Sequence, residues 1–216
     1  MSSVRPELPQ RRGPPLRARR TVLGADPEAN ARLTAATGLL LFVLLAVEGV
    51  TVLSVRQLAV PHVFIGLVLV PPVLLKVATT SWRALRYYLG NPAYRRKGPP
   101  PLVLRLLGPF AVVLTLTVLA SGIALLFVPA SARGLALTAH KASFVLWFGA
   151  MTIHVLGHVL DTASIAPRDF LRRTRHQARG ASSRQWALVA SVAAGLVLAA
   201  VLTRYTGSWV HLNLSR

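Results

Sequence analysis

Four histidines are the residues of this chain best suited to chemistry: His62, His140, His154 and His158. Three of them share one apolar stretch, LALTAHKASFVLWFGAMTIHVLGHVLD, over residues 135–161. An α-helix turns about 100° and rises about 1.5 Å per residue. The step from His140 to His154 therefore leaves them within roughly 40° of one face and about 21 Å apart. The step from His140 to His158 closes five whole turns. All three line one stripe, with one imidazole near one membrane surface and two near the other. Ionisable groups at such depth are costly and normally face a bundle interior, which makes each a functional candidate. Imidazoles placed this way suit axial ligation of haem iron.

The elements that must position these histidines are apolar. The chain has 216 residues, 53% of them hydrophobic, concentrated in five stretches. That composition predicts an all-α integral membrane bundle of five transmembrane helices, not a soluble domain. The expected spans are about 33–55, 57–80, 102–128, 135–160 and 186–202. Residues 1–32 read as a disordered, Pro- and Arg-rich basic tail without the apolar core of a signal peptide. Residues 205–216 read as a short external tail. Pro71 and Pro72 should kink the second span, and Gly108-Pro109 should bend the third. After the second span, Trp82, Tyr87 and Tyr88 read as interfacial residues on a helical extension.

The formal charge of +19 would point to nucleic acid in a soluble protein. Here the cations sit in tails and loops, so they set topology and no nucleic-acid partner is expected. The amino tail through Arg32 has seven Lys or Arg, the 80–101 loop five, and the 161–185 loop six against two Asp. The positive-inside rule then puts the amino terminus in the cytoplasm and, with five spans, the carboxyl terminus outside. The chain contains no cysteine. That excludes disulfides, iron–sulfur ligation, thiol catalysis and covalent c-type haem within it.

Depth pairs the histidines. His62 and His140 each lie about five residues inside the outer end of their spans, and those two helices run the same way. The two imidazoles should meet at one level, one on each side of a b haem. Gly66 and Gly122 lie at similar depth and could let the ring approach. Arg56, Arg133 and Lys141 lie at the same surface and could pair with propionates. The inner side is open. The helical step that joins His140 to His154 leads from His62 to Lys76, where a symmetric two-haem bundle would carry histidine. His154 and His158 could serve a second haem with another ligand, a quinone or proton site with Lys76, or structure alone with Lys76 snorkelling. Glu48 reads as bonded to a polar neighbour or as a proton carrier, the first being simpler. His176 and His211 read as solvated, and Phe144 and Trp147 as packing residues.

With these residues placed, the chain resembles the bacterial membrane cytochrome b proteins. These include nickel-hydrogenase cytochrome b subunits, formate dehydrogenase gamma subunits and ferric-reductase-like transmembrane domains. RYYLGNPAYRRKGPPP and HKASFVLWFGAMTIHVLGH look like an actinobacterial-type branch. The resemblance covers about residues 33–204. It implies a bundle holding haem b, with axial histidines here at His62 and His140, in a bacterial inner (cell) membrane. It also implies electrons passing between a redox partner protein and quinone or an external acceptor. Two departures stand: no histidine in the first span, and Lys76 in place of an inner histidine. One haem is therefore expected and a second stays open.

The functional expectation is an electron-transfer subunit of an oxidoreductase, not a stand-alone enzyme, because no glycine-rich flavin or nicotinamide fingerprint follows a strand. One alternative is a haem-free scaffold, small transporter component or sensor whose histidines help helices associate. Another is metal handling by the His154–His158 pair, which has few neighbouring ligands.

Overall fold

Asp26 opens the first helix. Its carboxylate accepts a hydrogen bond from the Glu28 N–H at 2.9 Å, and Pro27 takes the first helical position, where its missing N–H is harmless. The computed structural model describes residues 26–96, Gly98 and residues 102–206. They form α1 (Pro27–Leu53), α2 (Ala59–Tyr88), the short α3 (Pro92–Arg96), α4 (Leu102–Ala124), α5 (Arg133–Ile165) and α6 (Ala181–Leu202). No strand occurs among the described residues. All but α3 are long and apolar enough to cross a membrane.

The boundaries differ from the expected spans where polar residues continue a helix. The first helix begins at Pro27 and not at Leu33, and Asn30 and Arg32 are buried. Residues 26–32 therefore belong to the bundle and not to the tail. The last helix starts at Ala181, because Ser182, Ser183 and Arg184 form a polar first turn that apolar counting misses. As expected, α2 continues past the apolar stretch to Tyr88. It ends where Gly90, at φ 83°, takes a left-handed conformation that few other residues adopt. Pro71 and Pro72 both lie inside α2, and Pro72 is fully buried. The amino-terminal residues 1–25, the Pro99–Pro101 run and residues 207–216 with His211 lie outside the described residues.

Helix packing makes a ring. Within the ring the extensive contacts are α1 with α2 and α4 with α5, and these two pairs are joined by α1 against α5 and α2 against α4. The histidine-bearing helices α2 and α5 are thus diagonal across a four-helix core. Leu41, Leu69 and Val73 fill one layer; Leu114, Trp147 and Ala150 fill another. Phe144 packs against the second layer with its ring 6.0 Å from Trp147, and the Trp147 indole N–H donates to Thr115 Oγ1 at 2.9 Å, so both act in helix packing. Outside the ring, α6 lies along α2. A Cβ on Gly195 would overlap the Val68 main chain, and Ala199 is fully buried. Small residues let these two backbones touch.

A buried ionic cluster ties the start of α1 to the segment after α5 and the first turn of α6. Arg32, Asp169 and Arg184 are each 3% exposed or less. Asp169 Oδ1 accepts from Arg32 Nη1 at 3.3 Å and from Arg184 Nη2 at 2.7 Å, and its Oδ2 accepts from Arg184 Nε. Arg32 also donates to the Thr174 carbonyl at 2.9 Å and to Gln177 Oε1 at 3.3 Å. Paired and hydrogen-bonded this way, the charges can stay out of water. Arg32 and Arg184 are therefore clamps within the fold, where the sequence reading made the arginines of these segments topology signals.

Candidate functional site

The short turn between α1 and α2 and the one between α4 and α5 bring polar residues near four helix ends to one level. His62 is on the first turn of α2. Its Nδ1 lies 2.8 Å from Glu48 Oε1 and 3.2 Å from Thr51 Oγ1, both on α1. Thr51 Oγ1 lies 3.1 Å from Glu48 Oε2 and 2.6 Å from the Glu48 carbonyl. Glu48 is 12% exposed and His62 25%, so water screens this contact weakly. Across the ring, His140 on α5 places Nδ1 2.9 Å from Ser121 Oγ on α4. The His62 and His140 ring centroids are 6.4 Å apart, with the planes at 70°.

One tautomer of each ring satisfies these contacts best. An ionised carboxylate only accepts hydrogen bonds, so Nδ1 of His62 carries the proton facing Glu48. Ser121 directs its own hydroxyl hydrogen to the Val118 carbonyl at 3.0 Å and so accepts from His140 Nδ1. Both rings, when neutral, then bear a lone pair on Nε2, the form in which imidazole binds a metal. Two imidazoles ligating one metal from opposite sides have ring centres about 6 to 6.5 Å apart, given bonds of about 2 Å. The observed separation matches that figure. It also lies within the range of about 4.5–7 Å for direct ring contact.

Both glycines singled out in the sequence border this cluster. A Cβ on Gly122 would sit 3.2 Å from His140 Cε1, and one on Gly66 3.6 Å from Glu48 Oε1. Their immediate role is to admit these two side chains. Arg56, in the turn after α1, and Arg133, at the start of α5, lie at the same end of the bundle.

The inner residues form a separate group. The His154 and His158 rings are 4.9 Å apart on one helix. His154 Nδ1 is buried with no hydrogen-bond partner among the described residues. Lys76 Nζ reaches α1, donating to the Thr34 carbonyl at 2.7 Å. A Cβ on Gly38 would lie 2.8 Å from that ammonium, so a larger residue there would have to displace the end of the lysine side chain. Among the described residues no group of three or more His, Cys, Asp or Glu side chains gathers to hold a metal ion.

No protein-family model, curated protein or solved structure matches this chain. The site is therefore read from its own geometry. That geometry joins His62 with His140 and leaves His154 and His158 apart from them. The sequence reading named Glu48 without its partner, took Ser121 with Gly122 as a close-packing point of the third span, and missed Thr51. A usable signal for Glu48 and Thr51 existed: they share one helix face, close to a short turn that returns the chain to His62. His176 is exposed, 3.4 Å from the Arg175 guanidinium.

Proposed function

We propose that this chain is a membrane-spanning b-type haem protein that carries electrons, with its haem held between His62 and His140. One observation carries the reading: two imidazoles from diagonal helices meet at one level, each with Nδ1 engaged by a neighbouring helix. A haem brings four porphyrin nitrogens of its own, so two protein ligands complete its iron. Bound there, it supplies a one-electron couple. The protein's part is to hold and orient the two imidazoles through Glu48 and Ser121 and to surround them with apolar helices.

The outward faces support membrane insertion. Leu53, Leu135 and Leu160 are 86%, 79% and 83% exposed, a surface suited to hydrocarbon and costly in water. The arginine count puts the amino terminus in the cytoplasm and the histidine pair near the outer surface. Electrons would pass between a partner protein and quinone or an external acceptor, because the sequence carries no flavin or nicotinamide fingerprint. The inner group of His154, His158 and Lys76 is the place for a second polar ligand.

A haem-free scaffold is the second reading. It is favoured by the same contacts, since Glu48–His62 and Ser121–His140 each tie one helix to the next without any cofactor. A reduced-minus-oxidised visible spectrum with haem quantitation separates the two. A sharp b-type α band at one haem per chain is expected. A colourless protein from cells with ample haem overturns the haem reading and leaves the scaffold.

A further inference from the structure

We propose that Glu48 is a positioning residue that lowers the reduction potential of the bound haem by acting through His62. The inference rests on the haem reading above and adds a role for a residue which that reading needs only as an anchor. Glu48 is the sole acidic residue between Glu28 and Asp161, a stretch covering four of the five long helices. Its carboxylate lies on the one nitrogen of His62 that cannot ligate, at 2.8 Å. A carboxylate in a poorly screened site strengthens its hydrogen bonds and draws the shared proton toward itself. The imidazole gains anionic character and donates more strongly through Nε2. A stronger donor favours the oxidised metal over the reduced one.

The opposite ligand lacks this feature. His140 faces the neutral Ser121 hydroxyl at 2.9 Å, itself bonded to the Val118 carbonyl. The two axial ligands are therefore electronically unequal, and the charge sits on one side only. Thr51 holds the carboxylate, with its hydroxyl within reach of Glu48 Oε2 and of the main chain. A structural clip between α1 and α2 would need the contact but not the charge.

The test compares midpoint potentials of the purified full-length protein carrying haem. Glu48→Gln keeps the shape and the Nδ1–H acceptor but removes the charge. It should retain one haem per chain and raise the potential. Each tenfold loss of preference for the oxidised metal appears as about 59 mV in a one-electron couple. Ser121→Ala should move the potential less. Thr51→Val frees the carboxylate to bind His62 more strongly and should lower the potential. A haem-loaded Glu48→Gln protein with an unchanged potential overturns the proposal and leaves Glu48 a helix clip. If Glu48→Gln does not fold, an unchanged potential in Thr51→Val overturns it instead. A wild-type protein without haem is a different result, since it sinks the proposed function itself.

Discussion

The His62 and His140 imidazoles lie 6.4 Å apart between ring centres, although their helices α2 and α5 are diagonal in the bundle. Replacing either ring by alanine should remove the haem band while the protein still inserts and stays monodisperse in detergent. Absorbance against protein concentration reads the outcome. Full haem in both variants would eliminate this pair as the ligands.

Ser121 acts through His140. Ser121→Ala takes away the Nδ1 acceptor and frees the ring to rotate. Such losses around metal-ligating histidines weaken affinity about 10–100-fold. Haem titration into the apo-protein should show weakening on that scale, with the ligand set unchanged in the spectrum.

Asp169 is shared by two buried guanidinium groups. Asp169→Asn removes the counter-charge that Arg184 and Arg32 share, Arg32 keeping its ion pair with Glu28 at 3.1 Å, and breaking a buried pair costs about 3–5 kcal/mol. Thermal unfolding in detergent should show a large loss of stability, with the 170–180 segment cut earlier by protease. Stability equal to wild type would contradict the clamp.

Glycine replacements offer a matched pair. Gly195→Ala pushes a methyl into the Val68 main chain, which cannot rotate away, and overpacking of this kind costs about 1–3 kcal/mol. Gly149→Ala meets nothing within 4 Å and exchanges a poor helix former for a good one, worth up to about 1 kcal/mol. The first should lower the unfolding temperature and the second leave or raise it.

The absence of cysteine makes orientation easy to measure. Ser131→Cys, in the exposed turn before α5, should react with an impermeant maleimide on intact cells. Ser183→Cys, exposed at the start of α6, should react only after lysis. The reverse pattern would invert the topology.

The five long helices were legible in the sequence because hydropathy averaged over about twenty residues survives errors at either end. The ends were not, since Asn30, Arg32 and Arg184 look like loop residues until their partners are known. Matching depth sufficed to pair His62 with His140. The identity of the Nδ1 partners depended on helix rotation, which separates Ser121 from its neighbours by chemistry no hydropathy plot carries. The Arg32–Asp169 contact spans 137 residues and leaves no local trace. In the inner half, spacing arithmetic placed Lys76 where histidine was wanted. The structure turns its ammonium to Thr34 on α1.

The clamp also sets an order of events during biosynthesis. Arg32 emerges long before Asp169 and Arg184, so the first helix enters its place with that charge paired to Glu28 on its own helix. Only when the last hairpin has been translated can Asp169, Thr174 and Gln177 join Arg32 and α6 be seated on α2. A ribosome stalled before residue 169 would leave a chain that holds every histidine of the outer site yet lacks the clamp between α1 and α6. Quality-control proteases would meet this nascent form as an open bundle, so completion of synthesis and completion of the fold coincide.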